Sequence, residues 1–234
     1  MRRAMLPARR PTPRATVLLM VGRDDWQKDE PLNIQLLERL RRPGLRVVWE
    51  DRATAWVHAW LDWTRRYPGL PGRLRHLGLR AAQLAYAVMH PSYLGYLRRR
   101  GRRTVEGRCA SLTHTVRALA RQGEVIVFAR SSGGRVASLV ADGLALSHIV
   151  CLGYPFRHPE AGDEPERYRH LATLRTPMLI VQGRHDVYGG AEVALRYPLS
   201  PQVRLRVVEA DHDFRLDAAQ ADRIVALIEA ELGW

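Results

Sequence analysis

The sequence predicts one α/β domain: a doubly wound, mainly parallel sheet of about six strands, with a helical insertion before the third. Three observations carry this. Short apolar, β-branched runs alternate with stretches whose apolar residues recur at helical spacing, the pattern of parallel strands joined by crossover helices. The 234 residues, enough for one full-sized core, show no break in composition that would divide them. The segment Val125 to Ala141, V-I-V-F-A-R-S-S-G-G-R-V-A-S-L-V-A, passes from a buried-strand pattern through a tight turn of small residues into a helical one.

In chain order, residues 1–14 hold five arginines, three prolines and no acid, and read as a basic tail before a single domain at 15–234. Thr16 to Val21 is the first strand, followed by a loop from Gly22 to Asp25. Leu32 to Leu40, apolar at 32, 36, 37 and 40, is an amphipathic helix that stops at Pro43 and Gly44. Leu45 to Trp49 is the second strand, and two strands joined by a helix run parallel.

Residues 52–107 break this rhythm and are read as a helical insertion or cap. An aromatic run with Trp56, Trp60 and Trp63 leads through prolines and glycines to a helix at Arg73 to Met89. A further piece, Ser92 to Leu97, ends in the basic cluster Arg98 to Arg103. The stripe Leu74, Leu77, Ala81, Leu84, Ala85 and Val88 is expected to pack down on the body, with Arg73, Arg75 and Arg80 outward. Helical spacing resumes at Leu112, Val116 and Leu119, ahead of the third strand. Later strands are expected at Leu144 to Leu152, Met178 to Gln182 and Val203 to Val208. Between and after them come a loop from Gly153 to Asp163, helices at Glu166 to Leu174 and Gly189 to Tyr197, and a closing amphipathic helix at Ala218 to Leu232.

Composition narrows the function classes. The net charge of +13 is uneven: residues 1–108 hold 23 basic and 9 acidic side chains, and residues 109–234 hold 14 and 15. Only Lys28 among the 37 basic residues is a lysine, a skew that fits codon preference as well as phosphate contact. No aromatic interleaving or known motif accompanies it, so nucleic acid is not an expected partner. Weak contact of residues 65–108 with an anionic membrane surface is the macromolecular contact that the charge suggests. Cys109 and Cys151 lack metal-ligand spacing and read as buried thiols, so neither a disulfide nor a metal is expected. Apolar runs too short to span a bilayer, and a basic N-terminus without an apolar h-region, lead to the expectation of a soluble, cytoplasmic protein.

In an open parallel sheet, ligands bind beyond the carboxyl ends of the strands. Three such ends carry reactive side chains. The turn after the third strand offers a serine flanked two residues either side by small residues, as a strained strand-to-helix turn demands. Centred on Ser131 the flanks are Ala129 and Gly133; centred on Ser132 one flank would be Arg130, so Ser131 is the candidate nucleophile. A dinucleotide-binding turn fits less well, because no carboxylate ends the next strand. After the fifth strand comes Gly183-Arg184-His185-Asp186, and after the sixth Asp211-His212-Asp213-Phe214. A serine hydroxyl is a poor nucleophile until an imidazole takes its proton, and the imidazole needs a carboxylate to fix its tautomer. Ser131, Asp186 and His212 supply that set. Singly, Asp186 has the rival reading of an N-cap or turn aspartate and His212 that of a loop or capping residue; together the pattern is far more specific. His185 precedes the acid on the same loop and is poorly placed to serve. The backbone N–H of Ser132 is the first expected oxyanion donor; the second falls in the loop after the first strand, at Arg23 or Asp24.

These residues carry a resemblance. From Thr16 to the C-terminus the chain resembles the α/β-hydrolase fold family. A-R-S-S-G-G-R at 129–135, L-G-Y-P-F at 152–156, T-P-M-L-I-V-Q-G at 176–183 and D-H-D-F at 211–214 are similar to its dienelactone-hydrolase-like branch. That branch includes a small testis-expressed hydrolase-like protein and a regulatory subunit of a chromatin acetyltransferase complex. The resemblance covers residues 109–215 well and the insertion poorly. It implies Ser131, Asp186 and His212 as a catalytic triad, with Tyr154 to Phe156 either lining the pocket or packing the core. The sequence departs from the pattern at Ala129, where the first glycine of G-x-S-x-G is expected, and at Val21-Gly22, where a His-Gly pair is. Two functions follow: a serine hydrolase acting on an ester, thioester or similar acyl substrate without a cofactor, or a non-catalytic binding or scaffold protein on the same fold.

Overall fold

The computed structural model describes residues 15–22, 26–53, 56, 69, 71–91, 93–94 and 104–234. The expected tail, Arg23 and Asp24, Trp60 and Trp63, and the Arg98 to Arg103 cluster lie outside the described residues.

Six parallel strands form the sheet: β1 (Ala15–Val21), β2 (Leu45–Trp49), β3 (Gly123–Arg130), β4 (Leu146–Leu152), β5 (Met178–Gly183) and β6 (Val203–Val208), in the order β2-β1-β3-β4-β5-β6. β1 pairs on one side with β2 and on the other with β3, so the chain winds outward in both directions from the centre. The helices are α1 (Trp26–Leu40), α2 (Gly72–Met89), α3 (Val105–Ala120), α4 (Ser132–Val140), α5 (Val193–Arg196) and α6 (Ala218–Leu232).

The middles of the central strands, Val125–Ala129, Ile149–Leu152 and Met178–Val181, are apolar because both of their faces are covered. On β3, Val125, Val127 and Ala129 join Leu112, Val116 and Val136 on one face, while Ile126 and Phe128 join Leu36, Leu40, Ile224 and Ile228 on the other. The helix ends follow local chemistry. Thr104 Oγ1 accepts the Gly107 N–H at 3.2 Å at the start of α3. At the start of α6, Asp217 and Gln220 cap each other reciprocally, and Gly233 in the left-handed region ends that helix. The sheet edges carry charge: Arg46 on β2 donates to Gln122 at 2.7 Å, and Arg204 on β6 pairs with Glu231 at 3.2 Å.

The structure corrects the sequence reading in several places. The stripe of α2 does not pack down: Leu74, Leu77, Ala81, Leu84, Ala85 and Val88 are all exposed, as is Arg73. The buried side of the helix is instead the one bearing Ala87, which clusters with Ala53, Tyr93 and Tyr86; Tyr93 donates to Asp51 Oδ1 at 2.7 Å. Glu166 to Leu174 forms two short 3-10 turns rather than an α-helix, as Tyr168 adopts neither helical nor extended backbone between them. The fourth strand begins at Leu146, the helix expected from Gly189 is confined to Val193–Arg196, and the loop after β4 contains a two-residue hairpin, Arg157–His158 with Gly162–Asp163. Tyr154 and Phe156 are fully buried, with rings 4.8 Å apart, and Phe156 stacks on Tyr197. They pack the core.

Candidate active site

The site is assembled where β3, β5 and β6 end. Ser131 joins β3 to α4 with φ 48° and ψ −118°, a conformation that L-residues rarely adopt. Small neighbours permit it. A Cβ on Gly133 would lie 2.4 Å from the carbonyl oxygen of Val21, and one on Gly134 would lie 2.2 Å from Cys151 Sγ. The end of β1 and the start of α4 thus touch backbone to backbone at Val21 and Gly22. The Ser131 N–H donates to the Leu152 carbonyl at 3.1 Å, anchoring the turn to β4.

The structure brings the three sequence-predicted side chains together. His212 Nε2 lies 3.1 Å from Ser131 Oγ, and His212 Nδ1 lies 2.8 Å from Asp186 Oδ2. Asp186 is buried among donors: Gln182 Nε2 reaches Oδ2 at 3.0 Å and the Tyr188 N–H reaches Oδ1 at 2.8 Å. A carboxylate only accepts, so the chain of contacts is consistent with the ring proton on Nδ1, leaving the Nε2 lone pair toward the serine hydroxyl. Tyr188 packs its ring 4.4 Å from the imidazole. His185 turns away and pairs with Glu209 on the surface. Ser132, whose N–H heads α4, accepts from Arg108 Nη1 at 2.9 Å, and Arg108 Nη2 donates to the Gly22 carbonyl at 3.0 Å, tying the loop after β1 to the turn.

Arg130, Gln182, Tyr188 and Arg108 are supporting residues that sequence reasoning missed. Gln182 is the clearest case. Fully buried at the end of β5, it donates to Asp186 and to the Gly189 and Tyr154 carbonyls and accepts the Tyr154 N–H, so it joins two loops. A polar side chain in the otherwise apolar run of β5 was the available signal. Arg130, also buried, donates to the Leu152 carbonyl at 2.6 Å and to the His212 carbonyl, with its guanidinium 4.8 Å from the Phe214 ring centroid. It holds the histidine loop from below. Phe214, at φ 50°, turns that loop sharply behind the histidine.

Cys151 beneath the turn is fully buried, and burial pushes its thiol up to about 12. Cys109 is half-buried, its thiol also raised by burial, and both cysteines are free. Among the described residues no group of three His, Cys, Asp or Glu side chains is arranged to hold a metal, and no helix is long and apolar enough to cross a membrane.

A family model described as an alpha/beta hydrolase domain matches residues 73–229. No curated protein sequence gives a significant match. Among solved structures, the chain is similar to a proposed hydrolase of the alpha/beta superfamily from Xanthomonas campestris pv. campestris, with 18% identity and TM-score 0.51 over 93% of this chain and 99% of that one. It is similar to an alpha-beta serine hydrolase homologue from Coxiella burnetii at 16% identity and TM-score 0.53, over 93% and 85% of the two chains. An esterase domain of a Rhodothermus marinus protein aligns at 14% identity and TM-score 0.51, over 94% and 87%. At such identities the likeness is one of fold.

Proposed function

Because the chain belongs to the alpha/beta hydrolase family, we propose that it is a serine hydrolase cleaving an ester, thioester or similar acyl substrate through an acyl-enzyme. One observation carries this reading: the unbroken line of contacts from Asp186 through His212 to a serine on rare backbone at a helix N-terminus. In the proposed mechanism, Ser131 Oγ attacks the acyl carbonyl while His212 Nε2 takes its proton. Asp186 keeps the imidazole in the required tautomer and steadies its positive charge. The tetrahedral oxyanion is held by the Ser132 N–H, and the second donor is expected from Arg23 or Asp24, which lie outside the described residues. The α4 dipole favours the same negative charge. His212 then protonates the leaving group, and water, deprotonated by the same imidazole, releases the acid and restores Ser131. No metal or cofactor is needed for these steps. Within the family, the four motifs named above support placing the chain near the dienelactone-hydrolase-like branch, with the cytoplasm as its compartment.

Labelling with a fluorophosphonate probe, followed by mapping of the modified peptide, tests the proposal. The expected result is a single adduct on Ser131, absent from Ser131→Ala and from His212→Ala. An adduct on Ser132, or no adduct on the folded protein, would overturn the nucleophile assignment and favour a non-catalytic binding role.

A further inference from the structure

The largest run of exposed apolar side chains among the described residues lies on α2. Leu74 is 51% exposed, Leu77 65%, Leu84 66% and Val88 73%, each separated from the next by whole helical turns or by three or four residues. Met89 at the same end and Leu94 just beyond are at least half exposed. Among the described residues, most of the exposed large apolar side chains fall in this insertion. The opposite side of the helix is occupied, since Ala87 and Tyr86 rest on Ala53 and Tyr93. The leucine face is therefore a second apolar stripe, not a core face turned the wrong way.

Charge indicates what such a stripe meets. Residues 64–104 hold ten arginines and no aspartate or glutamate, and Arg73 at the edge of the stripe is exposed. A second copy of this chain would set two acid-free, arginine-bearing helices against each other within a protein already at +13. A surface that is apolar inside and negative at its rim satisfies both features at once, and an anionic bilayer is that surface. We propose that α2 is an interfacial helix that lies flat on anionic lipid, its leucines among the acyl chains and Arg73 at the phosphates. The site of Ser131 is not needed for this, so the proposal stands or falls apart from the hydrolase reading.

The test uses the full chain and vesicles of phosphatidylcholine alone or with an equal part of phosphatidylglycerol, with bound protein measured by co-sedimentation. Binding to the anionic vesicles is expected to be at least about tenfold tighter and to weaken as salt rises. Leu77→Glu with Leu84→Glu should abolish it, and because both side chains are already in solvent, the circular dichroism and thermal midpoint should not change. Arg73→Gln, which leaves the apolar stripe intact, should cost about fivefold. Equal binding to both vesicle types, or unchanged binding of the glutamate variant, overturns the proposal. So does a concentration-dependent dimer in the unaltered protein that the glutamate variant loses, since the stripe would then belong to a second copy.

Discussion

At the head of α4 a single added methyl group would strike a backbone carbonyl 2.4 Å away, whereas on α2 whole leucine side chains meet solvent. Both regions announce themselves in the sequence by spacing: small residues two apart around Ser131, apolar residues three and four apart from Leu74 to Val88. The first pattern names its own partner, because a tight strand-to-helix turn can be built in only one way. The second says only that one side of a helix avoids water when it can, and leaves the partner open. Steric exclusion specifies a structure more sharply than hydrophobicity does, because burial is non-directional and contact with a carbonyl is not.

The comparison is sharpened first at the chemistry. Ser131→Ala should lower kcat on any accepted acyl ester by on the order of 10⁶, and Asp186→Asn by about 10⁴, since the amide favours the wrong imidazole tautomer. Steady-state kinetics with a chromogenic ester measures both; equal, small losses would mean that the contacts among these side chains do not serve turnover.

The next effect is on the tight turn itself. Gly133→Ala forces its methyl into the Val21 carbonyl and should cost about 1–3 kcal/mol of stability by chemical denaturation. A neutral outcome would show that β1 and α4 can separate without penalty, and the contrast with α2 would collapse.

Arg130→Met tests whether the support under the histidine loop matters to rate. Both carbonyl contacts are lost while the side-chain bulk is kept, so kcat should fall by roughly tenfold to a hundredfold with KM nearly unchanged. A change confined to thermal stability would make Arg130 purely structural.

The remaining effect concerns pH. His170 sits against Ser138 Oγ at 2.8 Å and Tyr154 Oη at 3.4 Å, and burial, aided by the nearby Arg135 charge, lowers its pKa to about 4. The unfolded chain takes up a proton at an ordinary histidine value of about 6.5. The stability held by the neutral ring is therefore complete above that value and is lost as pH falls from there toward 4. Denaturant midpoints should decline over this window, and His170→Gln should flatten the decline.

The same contrast explains what could be read from the sequence. The sheet was legible because strands buried on both faces carry unbroken apolar runs, and the residues after β3, β5 and β6 were legible because that end of a parallel sheet is where polar side chains have reason to gather. Of the three it singled out, Ser131 and Asp186 each lie within hydrogen-bond distance of His212, on opposite ring nitrogens. Arg130 was not legible as a support, since its partners are backbone carbonyls distant in sequence and no spacing rule encodes a carbonyl, and Gln182 stood out only as a polar residue in an apolar run. Glu166 to Leu174 reads as helical by composition, but a turn starting at Pro165 breaks at Tyr168 and restarts as a second short turn.

The backbone at Ser131 has a cost that falls on lifetime rather than rate. Holding a non-glycine residue at φ 48° and ψ −118° stores about 1–3 kcal/mol, and glycine would release it while giving back roughly 0.4–1 kcal/mol through its looser unfolded chain. The protein without its serine would then outlast the one that has it. Any selection on yield or heat resistance alone would drift toward glycine at this position, and only demand for the hydroxyl keeps the less durable chain in place.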